Sequence, residues 1–385
     1  MKDIAAQSSS RNRVLTHLRA GIRDGTYPVG GRLPSERELS QLLGVARPTV
    51  NRVLAFLEDE GIIFSNGGRL RMVSQRALEA RKTSLSQVMK NTVVVVLHNP
   101  ARMVTGQRRR GWANWIDHGV YNEANQQHLH HLAFQPSQLE GEDWEHLLGA
   151  TPYGVIITDL FGKWSEGLEQ VTSWKERGLA IVVYGDAPEM QTFDRVSSDH
   201  ELGGYLLTHA LLEMGRKHIL VIGAPSSEAY WLSARYRGYG RAMQEFGLAP
   251  LPLLQLPLLH PVDNAQTRFD IEYRHLAGHL APYVIASKLD AVIAPSDGTV
   301  PAIIAACRSL GRVPNKDIIV AGYDNYWEEA SERFFENEPP LFSIDKRNTI
   351  MGKELMRLLS DRVEGKLPPK PQKRLIAPLL KRRTK

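Results

Sequence analysis

The chain has 385 residues, a net charge of +6, 42% hydrophobic residues and one cysteine. This length suits a small domain followed by one or two lobes of ~100–150 residues. The single Cys307 excludes a disulfide framework and a thiolate metal site. Its apolar neighbours favour a small buried side chain over a reactive thiol. No stretch approaches 18 uncharged apolar residues and the N-terminus is not signal-like, so we expect a cytoplasmic protein without a membrane segment.

The positive charge is concentrated at the start of the chain. Residues 1–90 hold 15 Lys and Arg against 8 Asp and Glu, a net charge of +7, so the remaining 295 residues carry −1. A small basic module beside a nearly neutral larger one indicates a polyanionic partner for the basic module alone.

A first helix is predicted from about Arg11 to Asp24, and a second begins after Ser35. Ser35 and Glu38 have the spacing of a capping box, in which each side chain bonds the backbone N–H of the other. Gly44 ends this helix, because a left-handed residue is needed there. Its predicted buried stripe consists of Leu39, Leu42 and Leu43.

A third helix must follow at once, and Pro48 suits its first turn because proline has no N–H to leave unpaired. One face is apolar at helical spacing: Val50, Val53, Leu54 and Leu57. The opposite face presents Arg52 and Ala55, flanked by Thr49 and Asn51. This is the pattern of a recognition helix, whose first turns reach base edges in the major groove. A solvated helical hairpin is the alternative.

Two short strands, residues 62–64 and 70–73, are predicted around the sequence Ser-Asn-Gly-Gly-Arg, since Asn-Gly is a strong hairpin signal. Residues 74–91 are charged and lack proline and glycine, and they are the candidate linker. The predicted domains are therefore a DNA-binding domain at 1–73, this linker, and a two-lobed domain at 92–385.

The first module resembles the GntR-type winged helix-turn-helix over residues 10–73. The resemblance rests on G-T-Y-P-V-G-G-R-L-P-S-E-R-E-L-S from Gly25, on G-V-A-R-P-T-V-N-R-V-L from Gly44, and on the Gly67-Gly68 turn. It implies DNA contacts at Arg37, Arg47, Thr49 and Asn51, and at Asn66 and Gly67 in the wing; Arg52 joins them from the helical wheel. Ala46 and Pro48 replace hydroxyl residues and Asn51 replaces an arginine of many members, which favours a different operator.

From Thr92 onward, short apolar runs alternate with amphipathic stretches. The predicted strands are 93–98, 129–134, 154–158, 180–185, 218–223, 290–294 and 317–323. The predicted helices between and after them are 112–126, 165–177, 200–214, 233–246, 265–286, 298–310 and 346–364. Continuous β-branched runs separated by helices indicate parallel strands buried on both faces. We therefore predict an α/β region of two doubly wound lobes.

Polar residues recur directly after these strands, where ligands bind in doubly wound sheets. They are His98, Asn99, Asp159, Gly185, Asp186, Asp199, Ser296, Asp297 and Asp324. Aspartate is also a good N-cap, so each of these aspartates is as readily explained by capping a helix.

Residues 92–380 resemble the LacI/GalR-type regulatory domain, which has a periplasmic-binding-protein-like fold with a cleft between two lobes and crossing hinge strands. The motifs are V-S-S-D-H-E-L-G-G-Y from Val196, S-A-R-Y-R-G-Y from Ser233, L-D-A-V-I-A-P-S-D-G from Leu289 and D-I-I-V-A-G-Y-D-N from Asp317. The resemblance implies effector contacts at Arg235, Asp297, Asp324 and Asp199. Carboxylates accept and a guanidinium donates directed hydrogen bonds, as recognition of sugar hydroxyls requires. Trp231 and Tyr230 suit either stacking on a sugar or core packing.

Other chemistries find little support in the sequence. His128, His130 and His131 lack acidic or cysteine partners at ligand spacing, which disfavours a metal site. Neither a nucleophile–base arrangement nor a phosphate-binding loop is present, so we expect no enzyme and no cofactor.

The combined resemblance is to the architecture of the arabinose repressor. It implies a repressor-type transcription regulator that binds double-stranded operator DNA as a homodimer and responds to a small effector, a carbohydrate first. A purine or nucleoside effector, or a non-regulatory solute-binding protein, are the alternatives.

Overall fold

The computed structural model describes residues 2–65, 70–75, 87–97, 112–134, 142–158, 167–223, 229–257, 259, 262–286 and 288–383. The chain divides into two compact units, residues 1–90 and 91–385. The predicted positions outside the described residues are Asn66, Gly67, His98, Asn99 and Asp159. Among the helices that are described, none combines the length and apolar character needed to cross a membrane.

The first unit packs a helical core against a small hairpin. Its elements are α1 (Lys2–Arg23), α2 (Glu36–Leu43), α3 (Arg47–Asp59), β1 (Ile63–Ser65) and β2 (Arg71–Val73). The two strands are antiparallel, with Ile63 opposite Val73. Helix α1 begins nine residues before the predicted start at Arg11, because residues 2–10 contain no glycine or proline to interrupt it.

The local signals around α2 and α3 act as predicted. Ser35 and Glu38 form the reciprocal capping box, and Gly44 adopts the left-handed conformation with φ of 61°. The predicted apolar face of α3 is buried along its whole length. The prediction for Leu42 is wrong: its side chain is 62% exposed. Leu39, half-buried Leu43 and Val45 just after the helix fill this part of the core, and Leu42 lies beyond them.

The second unit begins with a parallel sheet of order β12-β7-β6-β5-β3-β4. Its strands are β3 (Thr92–Val96), β4 (His130–Phe134), β5 (Gly154–Ile157), β6 (Ile181–Tyr184), β7 (Asp194–Ser198) and β12 (Lys373–Ile376). The helices of this first lobe are α4 (Trp112–Gln126), α5 (Glu142–Gly149), α6 (Gly167–Glu176) and α11 (Asn348–Val363). Fully buried strands such as β3 and β5 confirm that the sheet is covered on both faces.

The second lobe contains a sheet of order β13-β11-β10-β9-β8, in which β13 is antiparallel to β11. Its strands are β8 (Ile219–Val221), β9 (Ala291–Ile293), β10 (Ile319–Tyr323), β11 (Phe342–Asp345) and β13 (Leu379–Arg382). Its helices are α7 (His200–Glu213), α8 (Tyr230–Glu245), α9 (Ala265–Ala286) and α10 (Val300–Ser309). Separate hydrophobic clusters lie on the two faces of this sheet.

The chain passes between the two lobes at three places: from β7 into α7, from β11 into α11, and from β12 into β13. Asp199, Lys346 and the short segment 377–378 lie at these crossings. Four strands, β7, β11, β12 and β13, were not among the predicted ones because they are short and carry several polar residues. The predicted class, a winged helix-turn-helix followed by two doubly wound lobes, is confirmed.

Candidate functional sites

Helix α3 presents polar and basic side chains on the face opposite to its buried stripe. Arg47, Asn51 and Arg52 are exposed, and Thr49 is half-buried. Its N-cap, Ala46, makes no side-chain cap bond; Pro48 has no N–H to leave unpaired, and the Thr49 N–H donates to the Ala46 carbonyl at 2.9 Å. Exposed Arg37 lies in the first turn of α2. Of the five described positions predicted to contact DNA, four are therefore exposed, and Thr49 is half-buried.

A carboxylate, Glu36, links α2, α3 and the hairpin of the first unit. Its Oε1 accepts from Asn51 Nδ2 at 2.5 Å and from Arg71 Nη1 at 2.8 Å. Arg71 Nε also donates to Glu58 Oε1 at 3.2 Å, and Ser65 Oγ donates to that oxygen at 2.7 Å. The hydrogen bond from Arg71 is the main reason that the pKa of Glu36 is lowered. The side chain of Asn51 is therefore oriented by an ionised partner, a link that the sequence did not reveal.

In the second unit, Arg235 of α8 lies at the centre of a buried polar cluster and is 8% exposed. Its Nη1 donates to the carbonyl of Pro295 at 2.8 Å, and its Nε donates to His200 Nδ1 at 3.5 Å. Its Nη2 lies 3.8 Å from Asp324 Oδ1. Two of the predicted effector-binding residues, Arg235 and Asp324, are thus brought together.

The guanidinium of Arg235 also lies close to two aromatic rings. It lies 3.3 Å from the centroid of the Tyr323 ring and 4.4 Å from that of Trp231. A cation over the face of an aromatic ring is stabilised electrostatically. Half-buried Trp231 therefore has a partner in Arg235 already, in addition to any stacking on a ligand.

Asp324 directly follows β10 and pairs with a lysine that the sequence reasoning missed. Its Oδ1 lies 2.9 Å from Nζ of Lys346, and the two residues are 7% and 4% exposed. Burial lowers the pKa of Lys346, and the nearby Asp324 opposes this shift. Burial, together with Arg235 and Lys346, holds the pKa of His200 well below its usual range. Lys346 directly follows β11, as Asp324 follows β10. The rule that ligand-binding residues follow the strands would have identified Lys346 too, but β11 was not predicted.

Asp297 and Asp199 differ from Asp324 in what they bond. Asp297 is fully buried; its Oδ1 accepts from Ser343 Oγ at 2.7 Å and its Oδ2 from the Trp327 backbone N–H at 3.1 Å. Burial raises its pKa to about 7. Asp199 caps α7 by accepting from the Leu202 backbone N–H at 2.8 Å. Both carboxylates thus have protein partners, but only Asp199 caps a helix; Asp297 bonds residues that are distant in sequence.

The Arg235 cluster faces the boundary between the lobes. The hydroxyl of Tyr230 on α8 is hydrogen-bonded to Ser197 and to the backbone of Asp186, both in the first lobe. The charges of Asp324 and Arg235 act on buried Tyr184, at the end of β6. Trp115 Nε1 donates to Glu329 Oε2 at 3.1 Å, which is a second bond between the lobes.

Two cavities in the described part of the second unit differ greatly in size. A cavity beside Arg235 and Tyr323 has a volume of only about 10 Å³, the space of one water molecule at most. A much larger pocket of about 650 Å³ lies in the first lobe, at the opposite ends of its strands, between Trp174 and Arg362. The small cavity is lined by second-lobe residues alone, so it does not measure the space between the lobes.

The histidines considered for a metal have other roles. His131 Nε2 lies 2.8 Å from Asp117 Oδ1, and His130 is exposed at the start of β4. Within the described ranges, no group of three or more His, Cys, Asp or Glu side chains is placed to hold a metal ion. Cys307 is buried, and burial raises its thiol pKa to about 12.

These elements define two protein classes: a winged helix-turn-helix in the first unit and a two-lobed periplasmic-binding-protein-like fold in the second. Residues 10–70 match the family described as bacterial regulatory proteins, gntR family. Residues 208–384 match the family described as periplasmic binding protein-like domain. The chain therefore joins a GntR-type helix-turn-helix domain to a periplasmic-binding-protein-like domain, as in GntR/LacI-type fusions.

Similar proteins are named as transcription regulators. The regulator CelR of Thermobifida fusca is 28% identical over 226 residues, which are 57% of this chain and 59% of CelR. The repressor PurR of Histophilus somni is 28% identical over 190 residues, 49% of this chain and 52% of PurR. The chain thus spans little more than half the length of these relatives. A solved structure, the transcriptional regulator CelR–cellobiose complex, matches 91% of this chain and 98% of its own at 23% identity and a TM-score of 0.59, which is a likeness of fold.

Proposed function

We propose that this protein is a cytoplasmic transcription regulator of the repressor type, whose affinity for operator DNA is controlled by a small effector. The observation that carries the proposal is the first turn of α3, where Arg47, Asn51 and Arg52 are exposed above a fully buried apolar face. The regulators CelR and PurR as relatives add support. The functional division is a reader at 1–73, a linker at 74–91 and a sensor at 92–385.

In this proposal, α3 enters the major groove of double-stranded DNA. Arg47 and Arg37 neutralise phosphates or donate to guanine, and Asn51 reads a base edge with the oxygen that Glu36 leaves free. Thr49 and Arg52 add contacts along the same turn, and Asn66 and Gly67 reach the minor groove from the wing. Bonding between Arg71, Glu36 and Asn51 fixes the reader before it meets DNA, which lowers the entropy cost of binding.

The effector binds where Arg235 and Asp324 meet at the lobe boundary, with Trp231 beside them. Asp297 supports the site through Ser343 and the loop at Trp327, and Asp199 positions His200 by capping α7. The effector binds between the lobes and closes them, which alters how the paired sensors sit. It shifts operator affinity only by its differential affinity for the two arrangements.

A homodimer would present two DNA-binding readers to the operator at once. A two-fold pair of readers fits a palindromic operator with half-sites about one helical turn apart. The linker then transmits a change in how the paired sensors sit. The non-regulatory alternative, a solute-binding protein, leaves the exposed basic turn of α3 without a role.

Two effector classes remain in competition. The fold shared with a CelR–cellobiose complex favours a carbohydrate. The PurR relative and the rings of Trp231 and Tyr230 favour a purine or nucleoside. Thermal unfolding of the full chain with sugars and nucleosides separates them, since binding at 100-fold the Kd adds about 2.7 kcal/mol of stability.

Selection of duplexes from a random pool tests the reader. The full chain should enrich a palindromic sequence, and Arg47→Ala should lose this enrichment because it removes an exposed cation from the recognition turn. Arg19→Ala, an exposed arginine of α1 that pairs with Glu60, is the matched control and should enrich the same sequence. Absence of enrichment by the unmodified chain would remove the proposed function.

A further inference from the structure

Two histidines of α9, His275 and His279, form a pair that the proposed function does not use. They are four residues apart, so their side chains project from the same face of the helix on successive turns. Their Nε2 atoms are 3.2 Å apart, and their ring centroids are 4.6 Å apart. The two nitrogens are closer together than the ring centres, so the nitrogen edges of the rings face each other.

The separation of the two Nε2 atoms suits a shared metal ion. An imidazole nitrogen binds Zn²⁺ at about 2.0–2.1 Å, so two such nitrogens on a tetrahedral ion lie roughly 3.3–3.4 Å apart. At the right angles of an octahedral ion, similar bond lengths give a separation of roughly 2.8–3.0 Å. The observed 3.2 Å lies between these values. An ion therefore needs only a small rotation of either ring to reach both nitrogens.

Packing of α9 holds the two rings in place and leaves them accessible. Leu276 and Leu280, each next in sequence to one of the histidines, are buried in the core of the second lobe. His275 and His279 are themselves half-buried, so an ion reaches them from the solvent side. Because the helix is anchored by its apolar face, little conformational entropy is lost when the pair binds a ligand.

We propose that His275 and His279 bind a divalent transition-metal ion, of the class of Ni²⁺, Cu²⁺ and Zn²⁺, through their Nε2 atoms. In the bound form both rings are neutral and carry their proton on Nδ1. The site shares no residue with the Arg235 cluster, so it does not depend on the proposed function. A bound ion links two successive turns of α9 and thereby stabilises the helix whose other face fills the core of this lobe.

The ligand set determines which ions bind and how firmly. Imidazole nitrogens suit transition-metal ions, whereas Mg²⁺ and Ca²⁺ require oxygen ligands. Among the described residues, no third His, Cys, Asp or Glu side chain completes a group of three around an ion. Water therefore fills the remaining positions, and the ion exchanges with solvent. In the absence of an ion, one neutral ring donates its N–H to the other, which explains the pair as a hydrogen bond.

Equilibrium dialysis of the full chain against NiCl₂, without a polyhistidine tag and at neutral pH, tests the proposal. We expect one Ni²⁺ site of higher affinity than single histidines provide, and no comparable binding of Mg²⁺. Either His275→Gln or His279→Gln should weaken this site roughly a hundredfold, because attachment through a second linked ligand commonly contributes that much. His218→Gln removes an exposed histidine elsewhere in the second lobe and should leave the site unchanged.

A measurement on the unmodified protein covers the case in which a variant fails to fold. Pulsed electron paramagnetic resonance of stoichiometric Cu²⁺ detects the nitrogen nuclei of bound imidazoles, and it should report two of them. A signal from a single imidazole would overturn the proposal. Ni²⁺ binding no tighter than Mg²⁺ binding, or equal Ni²⁺ affinity in the unmodified protein and in both glutamine variants, would also overturn it. His275 and His279 would then form a hydrogen bond only.

Discussion

Trp115 and Glu329 are hydrogen-bonded across the two lobes of the second unit. The indole Nε1 of Trp115, in the first turn of α4, donates to Glu329 Oε2 at 3.1 Å. Glu329 lies in the loop that follows β10, a few residues after Asp324. Together with the bonds from Tyr230 to the first lobe, this contact favours the closed arrangement, in which the two lobes are in contact.

Trp115→Phe should therefore shift the lobes toward the open arrangement. The substitution keeps an aromatic ring but removes the donor, at a cost of about 1 kcal/mol, which changes the ratio of closed to open protein about fivefold. The measurement is a distance distribution between spin labels at Tyr121→Cys and Phe334→Cys, two exposed positions in different lobes. Cys307 is buried and does not compete for the label.

Glu329→Gln is the control for that experiment. The amide oxygen still accepts from Trp115, so this variant should leave the distance distribution close to that of the unmodified protein. Identical distributions for Trp115→Phe and the unmodified protein would show that the contact does not hold the lobes.

Glu36→Gln should weaken sequence discrimination and strengthen binding to any duplex. The lowered pKa of Glu36 means that a negative charge lies beside the recognition turn at neutral pH, and its removal reduces repulsion of phosphates. Asn51 also loses its charged partner and is less well oriented. We expect affinity for random DNA to rise about two- to fivefold at low salt, with a smaller change for the selected operator. Fluorescence anisotropy with both duplexes measures the ratio.

Glu60→Gln removes an equal charge from the far end of α3, where Glu60 pairs with Arg19. A fall in discrimination of the same size in this control would assign the effect to net charge rather than to the bond with Asn51.

Gly352→Ala should destabilise the first lobe. A Cβ at this position would lie 2.0 Å from the Ile116 carbonyl oxygen and 2.8 Å from Gly119 Cα, so α4 and α11 could not cross as closely as they do. We expect a loss of roughly 1–3 kcal/mol, seen as a lower urea midpoint. Gly278→Ala on α9 is the matched control, because nothing lies within 4 Å and alanine favours a helix. Equal midpoints for the two variants would contradict the role of the close crossing.

The sequence predicted those features that depend on local chemistry. The capping box at Ser35, the left-handed Gly44 and the apolar face of α3 are set by residues a few positions apart, and the structure agrees with each. Strands β7 and β11 were not predicted, and the two omissions have a common cause. Strand β7 has the sequence Asp-Arg-Val-Ser-Ser and β11 has Phe-Ser-Ile-Asp, so polar residues interrupt both, and their burial comes from neighbouring strands rather than from their own pattern.

The roles of the effector-site residues also depend on contacts between distant parts of the chain, which the sequence alone does not give. Asp297 and Asp324 look equivalent in sequence, since each follows a strand. The structure separates them because Gly322 has no Cβ, which leaves room for the Asp297 carboxylate to turn inward toward Ser343 on the next strand. Lys346 and Asp324 meet only because β10 and β11 are neighbours in the sheet. Such pairings depend on register, which no short motif encodes.

Asp297→Asn should change how stability depends on pH. The pKa of Asp297 is raised to about 7 by burial, above the value near 4 expected for an unfolded aspartate. The folded protein therefore binds this proton more tightly, so the stabilisation is complete below about pH 4 and is lost as the pH rises through 7. Between pH 5 and 8 the unmodified protein should lose roughly 1–3 kcal/mol relative to Asp297→Asn, because asparagine cannot ionise.

Urea unfolding at several pH values measures this difference. Asparagine at position 297 can still accept from the Trp327 N–H, and its amide can donate to Ser343, so the fold around β11 is preserved. Asp263→Asn, the same substitution at an exposed position, controls for the change in net charge. Parallel stability curves for Asp297→Asn and the unmodified protein would mean that the raised pKa of Asp297 does not contribute to stability in this range.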